Sequence, residues 1–118
     1  MLSDFVNTRA GFVEIGYGDM NGLTNTESTL PKTYSLSQNY PNPFNPNTNI
    51  RYDLPQDNFV TIRVYDILGK EVVTLVNENK EAGRYLVSFN AANFSSGIYF
   101  YTIHSGKFSQ TRRMTLLK

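Results

Sequence analysis

Beyond residue 34 the chain alternates between apolar and polar positions with a period of two. Residues 49–54 place Ile50, Tyr52 and Leu54 on one face. Residues 59–65 bring Val60, Ile62 and Val64 together, with Thr61 and Arg63 opposite. The pattern returns in residues 84–90 through Tyr85, Val87 and Phe89, and in residues 107–117 through Phe108, Met114 and Leu116. Successive side chains of a strand point to opposite faces, so each segment reads as a strand with one buried face. Residues 34–38 and 71–76 are two further strands. Residues 98–104 are apolar on both faces, with Ile98 and Phe100 on one and Tyr99, Tyr101 and Ile103 on the other. That predicts a central strand.

Turn chemistry separates these segments. Pro55-Gln56-Asp57-Asn58 and Asp66-Ile67-Leu68-Gly69 are turns, the second using Gly69 for a positive backbone angle. Residues 77–83 read as a polar loop, and residues 91–97 as a connection with room for one short helical turn. Ser105-Gly106 is a tight hairpin signal. Three-and-four apolar spacing is not sustained over ten positions anywhere. The expected fold is all-β: an antiparallel sandwich of about seven strands over residues 34–118, preceded by an extended N-terminal arm over residues 1–33. The arm is rich in Gly, Asn and Thr. Its one apolar stretch is Phe12-Val13-Glu14-Ile15-Gly16-Tyr17, and residues 24–32 suit a linker.

Composition narrows the function classes. The length, 118 residues, is that of one domain. A net charge of +1 argues against a nucleic-acid partner, which requires a clear basic excess. Cysteine is absent, which excludes disulfides and thiolate metal sites. No apolar run approaches the roughly 20 residues of a helical membrane span. The first residues, Met1-Leu2-Ser3-Asp4-Phe5-Val6, lack the basic and apolar regions of a signal peptide, so an export signal is expected upstream.

One run stands out: Gln38-Asn39-Tyr40-Pro41-Asn42-Pro43-Phe44-Asn45-Pro46-Asn47-Thr48. Proline donates no amide hydrogen and pushes the preceding residue toward extended geometry, and the asparagines form local side-chain turns. This is a rigid, irregular loop. With Leu36 before it, the run resembles the opening motif of the C-terminal sorting domains carried by cargo of the Bacteroidetes-type type IX secretion system. Five further blocks follow in family order: Ile50, Tyr52, Leu54 and Pro55; Val64-Tyr65-Asp66-Ile67-Leu68-Gly69; Ala82-Gly83 with Tyr85; Ser96-Gly97-Ile98-Tyr99; and Arg113-Met114-Thr115-Leu116-Leu117-Lys118. The resemblance covers residues 34–118. It implies an immunoglobulin-like sandwich that acts as an address, without catalysis or cofactor, on a protein secreted to the cell surface of a Gram-negative bacterium. The implied partners are an outer-membrane translocon and a sortase-like peptidase, followed by attachment to surface lipopolysaccharide. Gly97, Tyr99, Arg112, Arg113, Leu116 and Lys118 are the implied recognition residues.

Residue by residue, plainer roles compete with functional ones. The loop motif Pro41, Asn42, Pro43, Phe44, Asn45 and Pro46 is expected to cap one end of the sandwich, with Tyr40 and Phe44 plugging the core. Arg112, Arg113 and Lys118 either meet an acidic receptor groove or blunt an edge strand. His104 reads as an exposed strand end. Asp53, Asp57, Asp66 and Glu71 read as solvated turn residues. Asp19-Met20-Asn21-Gly22 with Glu27 is only loosely like a calcium loop and lacks a third early carboxylate. Asn93-Phe94-Ser95 makes Asn93 a candidate glycan acceptor. A carbohydrate-binding face would need exposed aromatics, and Tyr99 and Tyr101 are the candidates, expected to be covered.

The arm leaves a choice. It packs on its own sandwich, ends a cargo domain, or adds as a strand to a neighbouring copy through Phe12, Val13, Ile15 and Tyr17. The last option makes the chain a structural subunit that self-assembles into an extracellular filament.

Overall fold

The computed structural model describes residues 30–118 in full and the backbone of two short segments before them. Among the described residues every regular element is a strand: β1 (Val6–Arg9), β2 (Phe12–Gly16), β3 (Ser35–Leu36), β4 (Asn47–Leu54), β5 (Asn58–Tyr65), β6 (Glu71–Lys80), β7 (Gly83–Asn90), β8 (Gly97–Ser105) and β9 (Phe108–Leu116). They form two antiparallel sheets, ordered β1-β2-β7-β4-β3 and β6-β5-β8-β9. Seven of these strands make the sandwich that the alternating pattern predicts. The central place of β8, between β5 and β9, is also as expected.

The core is the set of inward positions of both sheets. Ile50, Tyr52 and Leu54 of β4 and Val87 and Phe89 of β7 face Val60, Ile62 and Val64 of β5, Tyr99, Tyr101 and Ile103 of β8, and Met114 and Leu116 of β9. Removing this apolar surface from water is the main stabilising term. At the far end of the β8–β9 hairpin, Gly106 takes a φ of 60°, where a Cβ would meet Asn58 Nδ2 at 2.6 Å. His104 is exposed one residue before the end of β8.

Three expectations change. β6 runs on through residues 77–80, which read as loop from their polarity. Their backbones pair with Asn58–Thr61 of β5, so Glu81 and Ala82 alone link β6 to β7. Lys80 ends this strand buried, its ammonium 2.8 Å from Glu78 and 5.3 Å from the centre of the Tyr85 ring. A lysine stem covers apolar surface while its head stays paired, which is why the polar pattern hides the strand. Residues 91–97 hold no helical turn. A single turn closes from the Phe94 amide to the Ala91 carbonyl at 3.0 Å, and Asn90 Oδ1 accepts from the Ala92 amide at 2.9 Å. Local side-chain acceptors of this kind compete with helix formation. Lastly, the arm contributes two strands where one apolar stretch was expected. β1 pairs with β2, and β2 pairs with β7 of the same chain through Glu14–Val87, Ile15–Leu86 and Gly16–Tyr85. Tyr17 and the segment Asp19–Gly22 with Glu27 lie outside the described residues.

Candidate functional site

The proline-rich loop crosses from one sheet to the other. It leaves the short strand β3 and meets β4 first, where the Tyr40 amide donates to the Asn49 carbonyl and the Asn49 amide donates back, both at 2.9 Å. Next it is tied down by its own polar side chains. Asn39, buried, donates from Nδ2 to the Pro41 carbonyl (3.1 Å) and to Thr48 Oγ1 (3.0 Å). The Thr48 hydroxyl donates in turn to the Pro41 carbonyl at 2.8 Å. Prolines supply no donors here, so side chains satisfy the carbonyls that a ladder would otherwise take. The Tyr40–Pro41, Asn42–Pro43 and Asn45–Pro46 bonds are all cis.

The loop then reaches β9. That strand is the edge of its sheet, and an unpaired edge exposes a row of amides and carbonyls. The loop occupies the last part of that row. Gln38 Nε2 donates to the Arg113 carbonyl (2.6 Å), and the Thr115 amide donates to Asn42 Oδ1 (3.0 Å). The Phe44 amide donates to the Thr115 carbonyl, and the Leu117 amide donates to the Phe44 carbonyl, each at 3.0 Å. Between these two bonds the Phe44 side chain turns into the core, only 2% exposed. It starts an aromatic run across the end of the sandwich: Phe44 to Phe89 at 6.0 Å, Phe89 to Phe94 at 5.7 Å, Phe94 to Tyr99 at 6.2 Å between ring centroids.

The residues after β9 are held from the other side. The Lys118 amide donates to Ser96 Oγ at 2.9 Å and its ammonium to the Ala92 carbonyl at 2.6 Å. The Tyr99 hydroxyl donates to the Ser95 carbonyl at 2.7 Å. Loop, β7–β8 connection and chain end therefore form one welded unit.

This geometry sorts the candidate residues. Phe44 plugs the end as expected, but Tyr40 does not: it is 79% exposed, because the two backbone bonds to Asn49 turn its side chain away from the core. Pro41, Asn42, Pro43 and Asn45 are exposed, and Pro46 is half-buried with its carbonyl accepting from the Ala91 amide at 2.8 Å. Tyr99 and Leu116 are buried, and Gly97 pairs with Leu116 at the start of β8. Arg112 folds back, donating from Nε to the Leu36 carbonyl at 2.6 Å. Arg113 and Lys118 are exposed, as is Asn93 in the β7–β8 turn. Phe12, Val13 and Ile15 lie on β2, described as backbone only.

The bonds made by three residues escaped the sequence reading: Gln38, Asn39 and Tyr101, the last of which is covered as expected. Gln38 and Asn39 sit inside the motif, so the signal was present without a role attached. The Tyr101 hydroxyl donates to the Ser37 carbonyl at 2.6 Å, which no pattern of apolar spacing reveals. Burial pushes its phenol up to about 12, against the opposing pull of a backbone hydrogen bond from Asn39 and the charge of Arg112. Among the described residues no group of His, Asp or Glu side chains is placed to hold a metal ion, and no helix is long and apolar enough to cross a membrane.

Comparison with known proteins agrees with the motif reading. The family described as the secretion system C-terminal sorting domain matches residues 38–116. No curated protein matches. Among solved structures, PorZ, a surface component of the type-IX secretion system of Porphyromonas gingivalis, is 19% identical with a TM-score of 0.49. The similarity covers 98% of this chain, which spans 16% of that one. Since the family match runs from the first residue of the welded loop to the last of β9, the chain belongs to the C-terminal sorting domains of the type IX secretion system, which direct proteins to the surface of Gram-negative bacteria.

Proposed function

We propose that the chain is the non-enzymatic sorting and anchoring signal of an exported polypeptide, and that it is read as a folded surface. In this reading the domain presents its welded end to an outer-membrane translocon. A sortase-like peptidase then acts in the polar stretch before the sandwich, and the cargo is displayed on the surface. The observation that supports it is the attachment of the loop to β9 through Gln38, Asn42 and Phe44. The two motifs that open and close the family match are a single object in space, which a linear tag would not need.

The test is a reporter protein exported to the periplasm with the 118-residue chain at its C-terminus, in a bacterium with a type IX system. Surface reporter is expected with the intact chain, and periplasmic reporter when residues 114–118 are removed. Surface display without residues 114–118 would refute the proposal. The alternative, a filament built through Phe12, Val13, Ile15 and Tyr17, has no observation in its favour, since β2 occupies the β7 edge of its own chain.

A further inference from the structure

The welded end carries an apolar surface that takes no part in the weld. Ile67 and Leu68 form the tip of the β5–β6 hairpin and are 65% and 90% exposed. Two adjacent large apolar side chains in water are costly, and the turn holds them there rigidly. Asp66 Oδ1 accepts from the Leu68 and Lys70 amides, both at 2.9 Å. The Gly69 amide donates to the Asp66 carbonyl at 3.0 Å, and the Asp66 amide to the Lys70 carbonyl at 2.9 Å. Gly69 has a φ of 86° with open space around its Cβ position, so the turn keeps glycine for its backbone and not for packing.

Sheet register places this tip. Tyr65 pairs with Glu71 on β6 and with Phe100 on β8, and Phe100 pairs with Arg113 on β9. Val64, Tyr99, Tyr101 and Met114 point into the core, so the row Tyr65, Phe100, Arg113 lies on the outer face. Tyr65 and Phe100 are half-buried and Arg113 is exposed. The tip therefore continues into an aromatic sheet face at the end where β8 begins and β9 finishes. Its charges are unbalanced. Arg63 is 3.7 Å from Glu71, and the Asp66 carboxylate, held by the turn's amides, keeps its charge, so Arg63, Lys70, Arg113 and Lys118 outnumber Asp66 and Glu71. Lys70, Arg113 and Lys118 have no carboxylate partner among the described residues.

We infer that Ile67 and Leu68, backed by Tyr65 and Phe100 and flanked by Arg113, are a docking surface for a folded protein whose apolar pocket is rimmed by Asp and Glu. The inference rests on the sorting reading above and names the surface that reading leaves open. Contiguous exposed apolar area with a polar rim marks an interaction site. Aromatic and arginine side chains dominate binding energy, and a rigid presentation lowers the entropic cost of docking. A lipid surface fits less well. Two aliphatic side chains bury fewer carbons than a single acyl anchor, which by itself binds membranes only marginally. The flat row Tyr65, Phe100, Arg113 would add nothing to such insertion.

The test uses the reporter with the full chain, in parallel with the purified full chain. Leu68→Asp and Arg113→Glu are each expected to cut surface reporter at least about tenfold, as loss of an interface hot spot does. Leu68→Met and the distant Lys107→Glu should leave it unchanged, and all four variants should keep the wild-type urea midpoint. Wild-type display with Leu68→Asp and Arg113→Glu both secreted normally overturns the docking surface and leaves the sorting function standing. An intact chain that is never displayed overturns the sorting function and this inference with it. A wild-type dimer that Leu68→Asp dissociates in sedimentation identifies a second copy as the occupant and overturns the inference. So does Leu68-dependent co-sedimentation with phosphatidylethanolamine–phosphatidylglycerol vesicles.

Discussion

Phe44→Ala tests the weld directly. The substitution removes a ring that is 2% exposed and packs at 6.0 Å from Phe89, yet it keeps the backbone amide and carbonyl that bond to Thr115 and Leu117. The loss is therefore that of side-chain packing plus the cavity left behind. Such truncations of buried Phe cost about 3–5 kcal/mol. A domain of this size holds about 5–15 kcal/mol in total, so about a fifth or more of its stability is at stake. Urea unfolding followed by circular dichroism and tyrosine fluorescence reads the change, with the midpoint lowered and the slope unchanged. Tyr40→Ala is the matched control. It sits four residues earlier in the same motif, is 79% exposed, and also keeps its backbone bonds. Its cost should stay within about 0.5 kcal/mol. Equal losses at the two positions, or a loss below about 1 kcal/mol for Phe44→Ala, would refute the assignment of Phe44 as the plug.

Other outcomes follow from the same contacts. Asn39→Ala leaves the Pro41 carbonyl to Thr48 and removes the Asn39–Thr48 bond, and should cost about 1–3 kcal/mol, read by thermal unfolding. Gly106→Ala should cost more than Gly69→Ala. Both have positive φ, worth about 1–2 kcal/mol for a non-glycine residue, but only at Gly106 must Asn58 Nδ2 swing aside and give up its 3.1 Å bond to the Tyr34 hydroxyl; equal urea midpoints would contradict this. Tyr101 sets an alkaline limit. Its folded value of about 12 exceeds the ordinary 10, so the stability tied to its neutral phenol is complete below pH 10 and is lost as pH rises toward 12. Two units correspond to at most about 3 kcal/mol, and Tyr101→Phe should flatten the fall in the unfolding midpoint between pH 10 and 12.

How far the sequence discloses the structure depends on which force places each residue. Alternation gave the inward faces of β4, β5, β7 and β9, because burial on one side of a strand leaves a period-two record. It could not give the end of β6. Asn77, Glu78 and Asn79 are polar, and their strand conformation comes from the ladder to Asn58–Thr61, a contact set by topology and not by side-chain preference. β1 was missed for the same reason: Val6–Arg9 carries almost no apolar pattern and is a strand only by pairing with β2. The proline loop was legible as rigid and irregular. Its destination was not, since the contacts of Gln38 and Asn42 with β9 span more than seventy residues of sequence. Tyr40 and Phe44 illustrate the limit, being similar rings in one motif with opposite fates. Which one is buried is decided by the two-way backbone bond at Asn49.

The recognition residues need the same separation of cause from pattern. Tyr99 and Leu116 are 8% and 0% exposed, and Arg112 spends its Nε on the Leu36 carbonyl. The first two are closed to a partner while the end stays folded, and the third is half-buried with one of its five N–H donors spent on the chain itself. Their place in the motif is explained by the stability of β8, β9 and the loop. What this end leaves exposed is the remainder: Arg113, Lys118, Pro41, Pro43 and the Ile67–Leu68 tip. A buried motif residue and an exposed one therefore fail differently. Replacing Leu116 lowers stability and display together. Replacing Leu68 should lower display while leaving the unfolding curve in place, a split that no purely structural role can produce.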